Sequence, residues 1–219
     1  MIAVRNTGYI SADKLSCYLA KLPAQEQQRI LQYKRIEDRQ RALLGMLTVN
    51  YMFQQYELDI DVMKWYRRDQ RGRPYIEASS SWQGDFTISH AGKWIICAMT
   101  DKGRVGVDIE EIQPLDFATV FACLSREEFT LLLQQTEANR WVFFYEKWTQ
   151  KEAIGKAIGT GLITPACFFT IEEVKNNWAI RHYYIDETHL ACLCVNTNDL
   201  PEHVEYRDDV EIVRHWVEV

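Results

Sequence analysis

The sequence predicts an α+β fold of two similar α/β lobes, a pseudo-dimer in which each lobe packs a small antiparallel-type sheet on a long helix. Three observations predict it. The helix-like and strand-like segments fall into two groups of similar content, each with a long helix followed by strands, and no long linker separates them. The 219 residues, 47% of them hydrophobic, can bury a substantial core. We place the boundary near Lys102-Gly103, between an N-terminal lobe (1–102) and a C-terminal lobe (103–219).

The N-terminal lobe is predicted to be built on a helix over residues 37–55. Apolar residues recur at helical spacing and form one buried stripe, made of Ile36, Leu43, Leu44 and Leu47. Alternating apolar and polar residues then predict three strands, over 62–67, 85–90 and 94–100.

The C-terminal lobe opens with a predicted strand over 105–110. Ser125, followed three residues later by Glu128, is typical of a capping box and predicts a short helix to about residue 135. A long aromatic-rich helix follows from about residue 139, and the glycines of Gly159-Thr160-Gly161 predict its end. Four further strands are predicted, over 168–172, 178–185, 190–197 and 211–217.

A split acidic signature is the most informative motif. Asp108 and Glu110 point to the same face of the predicted strand, together with Gly106, because side chains alternate along a strand. Glu152 and Lys156 lie one turn apart on the long helix. If that helix crosses the polar face of the strand, three carboxylates meet, and unneutralised charges about 4 Å apart repel by about 4 kcal/mol at an effective dielectric of about 20. A divalent cation relieves this repulsion, and the missing side chain of Gly106 gives a ligand access to the backbone.

Each motif also has a structural interpretation. The two strand carboxylates could lie on a solvated face, and Glu152 with Lys156 could form a surface salt bridge. Ser89 and His90 precede a turn where an imidazole beside backbone N–H groups can bind an anion, but adjacent strand residues point to opposite faces and cannot form a catalytic dyad. Basic residues near a turn and near the first long helix could clamp a phosphate or be solvated; they are Arg71, Arg73, Arg29, Arg35, Arg39 and Arg41.

Composition and missing motifs exclude several classes of protein. No apolar run approaches the roughly 20 residues of a membrane helix, and the first residues lack the layout of a signal peptide, so we expect a cytoplasmic protein without a membrane partner. The net charge of −6 argues against nucleic-acid binding. The six cysteines form no CxxC pair, which predicts reduced thiols. The GxxxxGKS/T, GxGxxG, GxSxG and HExxH motifs of common nucleotide and hydrolase sites are absent.

Several segments, taken together and in order, resemble 4'-phosphopantetheinyl transferases of the Sfp type. They are Gly72-Arg73-Pro74, Ile88-Ser89-His90, Gly106-Val107-Asp108-Ile109-Glu110, Trp148-Thr149-Gln150-Lys151-Glu152-Ala153-Ile154-Gly155-Lys156, and the helix from Glu37-Asp38 to Ala42-Leu43-Leu44-Gly45. The resemblance implies a monomer of two lobes, with coenzyme A and magnesium in the cleft between them.

The resemblance also implies an activity and roles for the residues. The enzyme would be a holo-[acyl-carrier-protein] synthase, which moves the 4'-phosphopantetheine arm of coenzyme A to a serine of an apo acyl or peptidyl carrier and leaves adenosine 3',5'-bisphosphate. Magnesium would be held by Asp108, Glu110 and Glu152, while Glu152 and Lys156 would act in catalysis, Glu152 as the base. Coenzyme A would be bound by Arg29, Arg41, Gly72, Arg73, Ser89, His90 and Lys156. Carriers of fatty acid synthesis, or of polyketide or nonribosomal peptide biosynthesis in secondary metabolism, all fit.

Two positions depart from the family pattern. Ala42 stands where the family often has a hydroxyl residue near the 3'-phosphate of coenzyme A, and Glu26 stands where it often has a second basic residue beside Arg29. Binding of the 3'-phosphate is then expected to depend on Arg29, Arg41, Arg73 and His90.

The carrier-binding surface and two other functions remain open at this point. Four apolar residues at helical spacing either fill the core or dock the carrier: Phe117, Val120, Phe121 and Leu124. A catalytically silent relative that binds coenzyme A or carrier proteins is one alternative to the transferase. Another two-carboxylate metalloenzyme, such as a phosphodiesterase, is the second.

Overall fold

A computed structural model describes residues 1–77, 82–160, 178–197 and 200–218. Helices and small sheets are mixed in it, and each of the two long helices packs on its own sheet, which confirms the predicted α+β fold of two lobes. The predicted strand over 168–172 lies outside the described residues. Among the helices that are described, none is both long and apolar enough to cross a membrane.

The first sheet packs on α3 (Ile36–Gln55), which follows two short helices, α1 (Ala12–Leu19) and α2 (Ala24–Leu31). Its strands lie in the order β4 (Asp85–Ala91), β5 (Trp94–Thr100), β1 (Ile2–Arg5) and β9 (Glu205–Asp208). Neighbours are antiparallel except β1 and β9, which are parallel. Three leucines of the predicted stripe are buried, whereas Ile36, at the start of the helix, is 37% exposed.

The second sheet packs on the 22-residue helix α7 (Glu137–Ile158). Its antiparallel order is β6 (Val105–Glu111), β8 (His189–Val195) and β7 (Ala179–Tyr184). As predicted, Gly159 ends the helix in the left-handed conformation, with φ 81°. Between β6 and α7 lie α5 (Phe117–Cys123) and α6 (Arg126–Leu133), and Ser125 with Glu128 forms the predicted capping box at the start of α6.

The two lobes share an apolar layer. Ala3 and Ile96 of the first sheet belong to the same buried cluster as Val107, Ile109 and Leu193 of the second sheet. Strand β4 also runs close to β6. The polar face of β6 therefore lies at the junction of the lobes, between β4 and α7.

The predicted strand over 62–67 is wrong in its first four residues. Residues Val62–Trp65 form a short helix, α4, because the Asp61 side chain accepts a hydrogen bond from the backbone N–H of Lys64 and caps its first turn. Strand β2 (Tyr66–Arg68) follows and pairs with β3 (Pro74–Ile76) as a hairpin. This hairpin carries the basic residues of the predicted turn into the junction of the lobes.

The predicted strand over 211–217 is wrong as well, because this segment belongs to a helix, α8 (Asp209–Glu218). Asp208 Oδ1 accepts a hydrogen bond from the backbone N–H of Glu211 at 2.8 Å and supports the first turn. Ile212 and Val213 are buried in the core around α3. Strand β9 pairs with β1 in the first sheet and α8 packs on α3, so residues 205–218 belong to the N-terminal lobe, although the predicted boundary near Lys102-Gly103 assigned them to the other lobe.

Candidate active site

Helix α7 crosses the polar face of β6, and Gly106 is the reason that it can. A Cβ atom at this position would lie 1.8 Å from the carbonyl oxygen of Ala153 and 2.6 Å from the backbone nitrogen of Ala157. Gly106 therefore permits close packing between helix and strand and does not open the backbone to a ligand, which corrects the interpretation made from the sequence. The close contact brings the polar side of α7 onto the strand carboxylates.

Asp108, Ser89 and Lys156 form a closed set of hydrogen bonds at this crossing. Asp108 Oδ1 accepts from Ser89 Oγ at 2.9 Å and from Lys156 Nζ at 2.7 Å, and Lys156 Nζ donates to Ser89 Oγ at 2.8 Å. Asp108 is only 4% exposed, and its other oxygen, Oδ2, is buried without a hydrogen-bond partner. A buried carboxylate oxygen without a donor calls for a ligand or a cation.

Glu110 and Glu152 are partly buried beside Asp108. Trp148 Nε1 donates a hydrogen bond of 3.0 Å to Glu110 Oε1. Burial and the charge of Asp108 raise the pKa of Glu110, although the Trp148 hydrogen bond opposes this. Burial and the charges of Asp108 and Glu110 also raise the pKa of Glu152, to about 7, against the opposing effect of Lys156. The three carboxylates repel one another, as expected from the sequence.

The donor set suits a hard divalent cation. Oxygen ligands from a few carboxylates are what magnesium prefers, and both the unpartnered oxygen of Asp108 and the mutual repulsion of the three acids favour a cation here. In the part of the chain that is described, no three His, Cys, Asp or Glu side chains are yet arranged to hold a metal ion. The magnesium ligands therefore stay a prediction.

A basic cleft of about 310 Å³ adjoins this acidic group. Although the chain as a whole carries a net charge of −6, cationic side chains line this cleft, from α2, α3, the β2–β3 hairpin and α7. They are Arg29, Arg41, Arg68, Arg71, Arg73 and Lys156. We call this feature the basic cleft. Such a concentration of cations suits a ligand with several negative charges.

Several of the residues predicted to bind coenzyme A line the basic cleft. The arginines among them differ in the hydrogen bonds and ion pairs that they already form within the protein. Arg73 donates two hydrogen bonds to Asp85, at 2.9 and 2.7 Å, and a third to the carbonyl oxygen of Lys156 at 2.9 Å. Arg73 thereby ties the hairpin to both lobes. Arg41 pairs with Asp38 and donates to the carbonyl oxygen of Gly92, while its Nε is buried without a partner.

The remaining predicted contacts lie as follows. Gly72 lines the cleft in the hairpin turn, with φ 83°. His90 also lines the cleft, whereas Ser89 is buried against Asp108, as expected for adjacent strand residues. Partial removal from water, with Arg41 and Lys156 nearby, lowers the pKa of His90. Lys151, which precedes Glu152, is buried and paired with Glu128, so it holds α6 to α7.

Sequence reasoning missed Arg68 and Tyr33 as cleft residues and did not recognise that Asp85 supports the cleft wall. The sequence offers no signal that separates Arg68 from its neighbour Arg67. In the structure Arg68 lines the cleft, whereas Arg67 pairs with Glu77 at the surface. The two arginines are adjacent in β2 and therefore point to opposite faces of the hairpin, and only the face of Arg68 meets the cleft.

Comparisons with known proteins show which proteins this chain is similar to. A family model described as the 4'-phosphopantetheinyl transferase superfamily matches residues 104–206, and one described as 4'-phosphopantetheinyl transferase, N-terminal, matches residues 10–102. The chain is 26% identical over 208 residues to the 4'-phosphopantetheinyl transferase Sfp of Bacillus subtilis (strain 168), covering 89% of this chain and 91% of that protein. It is 28% identical to the 4'-phosphopantetheinyl transferase psf-1 of Bacillus pumilus, with 77% and 76% covered. It is 24% identical to the L-aminoadipate-semialdehyde dehydrogenase-phosphopantetheinyl transferase of Mus musculus, with 89% and 74% covered.

Proposed function

The chain belongs to the 4'-phosphopantetheinyl transferases, of the Sfp type, and from this membership we propose that it transfers the 4'-phosphopantetheine arm of coenzyme A to a serine of an apo carrier protein in a magnesium-dependent reaction. Adenosine 3',5'-bisphosphate is the second product. Acyl and peptidyl carriers are both candidate acceptors.

One observation carries the proposal: Lys156 belongs to both halves of the site. Its side chain lines the basic cleft, and its Nζ lies 2.7 Å from Asp108 in the acidic group. Coenzyme A has a pyrophosphate and a 3'-phosphate, so the cations along the cleft support its binding. The acidic group at the edge of the cleft supports chemistry at the pyrophosphate.

Asp108, Glu110 and Glu152 are the residues that would hold magnesium. The ion would supply Lewis-acid polarisation of the attacked phosphoryl group and neutralise charge on the pyrophosphate. Two hydrogen bonds orient these carboxylates. Trp148 Nε1 donates to Glu110 at 3.0 Å, and Ser89 Oγ donates to Asp108 at 2.9 Å.

In the reaction, the serine Oγ of the carrier forms a bond to the phosphorus of the phosphopantetheine arm. The bond from that phosphorus to the bridging oxygen of the pyrophosphate breaks, and adenosine 3',5'-bisphosphate leaves with this oxygen. Serine is a weak nucleophile at neutral pH, so a base must take its proton. Glu152 is the candidate base because it is the helix carboxylate facing the other two acids, and burial with Asp108 nearby raises its pKa to about 7.

Lys156 has two roles in the proposed reaction. Its ammonium group stabilises the negative charge that develops on the phosphate oxygens, and it can return a proton to the leaving group. Its hydrogen bonds to Asp108 and Ser89 hold it in place, at 2.7 and 2.8 Å. Loss of this contact is expected to lower the rate by about a hundredfold or more.

The carrier docks, in this proposal, on α5. Val120 and Leu124 are buried, whereas Phe117 and Phe121 are 44% and 58% exposed, so the helix contributes to the core with one side and leaves two aromatic rings in solvent. Lys151, next to Glu152 in α7, donates to the carbonyl oxygen of Cys123 at the end of α5. The exposed aromatic face therefore lies near the proposed base, where an acceptor serine has to arrive.

The proposal is tested with the protein, magnesium, coenzyme A and several unmodified carrier domains, by measuring the mass of each carrier. A carrier that gains the mass of phosphopantetheine supports the transferase. No gain with any carrier, together with binding of coenzyme A by calorimetry, favours the catalytically silent relative. Release of phosphate or nucleotide from coenzyme A without carrier modification favours the metal-dependent phosphodiesterase.

A further inference from the structure

Glu26, which departs from the family pattern, is buried beneath two arginines of the basic cleft. It lies in α2 and is only 5% exposed. Its Oε2 accepts from Arg29 Nε at 2.9 Å, and its Oε1 accepts from Arg68 Nε at 2.7 Å. Second contacts, from Arg29 Nη2 at 2.9 Å and from Arg68 Nη2 at 3.3 Å, make each pairing two-pronged. One carboxylate thus fixes two guanidinium groups that are 39 residues apart in sequence.

Neighbouring groups also hold the same two side chains. Arg68 donates to the carbonyl oxygen of Gly72 at 2.7 Å and to the hydroxyl of Tyr66 at 2.9 Å. Arg29 donates to the hydroxyl of Tyr33 at 2.9 Å. A guanidinium carries five N–H donors, so after these contacts Arg29 retains two donors for a ligand and Arg68 retains one. Both also line the cleft, while Glu26 lies behind them.

The charges explain what this arrangement can bind. Two guanidinium groups and one carboxylate leave a net charge of +1, and the planar forks are already held in one orientation. A phosphate monoester, with two negative charges and three acceptor oxygens, matches such a fixed pair. Because the side chains are ordered before the ligand arrives, little rotamer entropy is lost on binding.

We propose that Glu26 is a positioning residue that holds Arg29 and Arg68 as a preformed receptor for a terminal phosphate monoester, and so makes the cleft selective for ligands that carry one. This inference depends on the proposed function for the identity of that group, which is the 3'-phosphate of coenzyme A. It assigns a selectivity role to Arg68, and it treats Glu26 as a support for phosphate binding. If Glu26 merely opposed an anionic ligand, its neutralisation would have the reverse effect.

Calorimetric titration with two probes tests the inference without catalysis. Adenosine 3',5'-bisphosphate carries the terminal phosphate, and adenosine 5'-monophosphate lacks it. We expect the unaltered protein to bind the bisphosphate more tightly, and Glu26→Gln to reduce this preference by about tenfold while affinity for the monophosphate stays within about twofold. Arg68→Gln should reduce the preference similarly. Arg67→Gln is the matched control, because Arg67 pairs with Glu77 at 3.0 Å outside the cleft and its removal should leave the preference unchanged.

An unchanged or increased preference in Glu26→Gln would overturn the inference. Thermal melting of each variant shows whether it is folded. If Glu26→Gln is not folded, Arg68→Lys replaces it. This variant keeps the positive charge but loses the planar guanidinium group, and it should still lose most of the preference for the bisphosphate. In transfer assays, Glu26→Gln should raise KM for coenzyme A about tenfold, with kcat and the KM for 3'-dephospho-coenzyme A unchanged. A protein that prefers the bisphosphate but modifies no carrier would contradict the proposed function alone, and one that transfers normally with the preference intact in Glu26→Gln would contradict this inference alone.

Discussion

The two ends of the site differ in how their charges are balanced. At the acidic end, three carboxylates, Asp108, Glu110 and Glu152, lie near one cation, Lys156, which pairs with Asp108. Burial, and after it repulsion among the carboxylates, raises the pKa of Glu110 and the pKa of Glu152. At the basic end, four of the five cleft arginines are already paired with carboxylates of the protein, and the fifth, Arg71, donates to the carbonyl oxygen of Gly159. Glu26 pairs with two of them, and Asp85 accepts two hydrogen bonds from the guanidinium group of Arg73.

The difference shows that the two ends contribute to different properties of the protein. At the acidic end Asp108 is paired with Lys156, whereas burial and repulsion disfavour the charged forms of Glu110 and Glu152, so these two carboxylates lower stability when charged and are available to a cation. The basic end has its ion pairs in place, so its residues support the fold while they shape the cleft. Substitution of Glu152 should then abolish activity without loss of stability, and substitutions in the cleft wall should lower stability.

The largest effect is expected from Asp108→Ala or Glu152→Ala. Either change removes a proposed magnesium ligand, and the second also removes the proposed base, so transfer to the carrier should fall by about a hundredfold or more. Glu152→Ala should keep the stability of the unaltered protein, because burial and the charges of Asp108 and Glu110 disfavour the charged carboxylate. Asp108→Ala should fold but melt at a lower temperature, because it also removes the partner of Lys156. Initial rates of carrier modification and a thermal melt of each variant test this. Turnover near that of the unaltered protein in either variant would show that the acidic end is misassigned.

The second prediction concerns Asp85, which supports the cleft wall. It is 5% exposed and accepts from Arg73 and from the backbone N–H of Val105 at 3.0 Å. Asp85→Asn should lower the free energy of unfolding by about 3 kcal/mol, since breaking a buried ion pair leaves the other charge without its partner. Urea unfolding measures this. Glu77→Gln is the control, because the exposed Arg67–Glu77 pair should contribute only about 0–1 kcal/mol. Equal losses in the two variants would remove the proposed contrast between the wall and the surface.

Much of the acidic end could be predicted from the sequence because its geometry is local. Alternation along β6 puts Asp108 and Glu110 on one face, and the helical repeat puts Glu152 above Lys156. The basic end depends on pairs that are distant in sequence, such as Glu26 with Arg68, and no periodicity reports such contacts. The role of Gly106 was misread for the same reason.

The wrongly predicted strand over 211–217 has a related cause. Apolar and polar residues alternate in part of this segment, and a short run of this kind fits a strand as well as one face of a helix. Burial of Ile212 and Val213 around α3 favours the helix, with Asp208 supporting its first turn. Tertiary packing therefore decides between two local patterns that the sequence leaves nearly equal.

A smaller effect is expected at the proposed carrier surface near the acidic end. Phe121 is 58% exposed and contacts Phe129 edge-on, with ring centroids 5.0 Å apart. Phe121→Ala should raise KM for the carrier by about tenfold, because exposed aromatic anchors contribute strongly to docking, and leave KM for coenzyme A unchanged. Steady-state kinetics with each substrate varied in turn measure both constants. Tyr56→Ala, a change of an aromatic residue that is 51% exposed in the N-terminal lobe, is the control. If both variants behave alike, α5 is not the docking surface.

The smallest effect tests the electrostatic contrast directly, through the stability of Glu152→Gln without added magnesium. The pKa of Glu152 is raised from 4.5 to about 7 by burial, then by Asp108, so the unfolded chain loses this proton at lower pH than the folded protein does. The folded state is therefore penalised progressively as the pH rises from about 4.5 to about 7, and the penalty is complete above that range. Glutamine carries no charge to penalise, so the variant should melt at a higher temperature than the unaltered protein at about pH 8 and at nearly the same temperature at about pH 4.5. Melting curves in a chelating buffer at both pH values test this, with Glu146→Gln, earlier in α7, as the control for loss of one charge from the same helix. A lower melting temperature for Glu152→Gln at the higher pH would mean that the acidic end stabilises the fold, and the contrast between the two ends would fail.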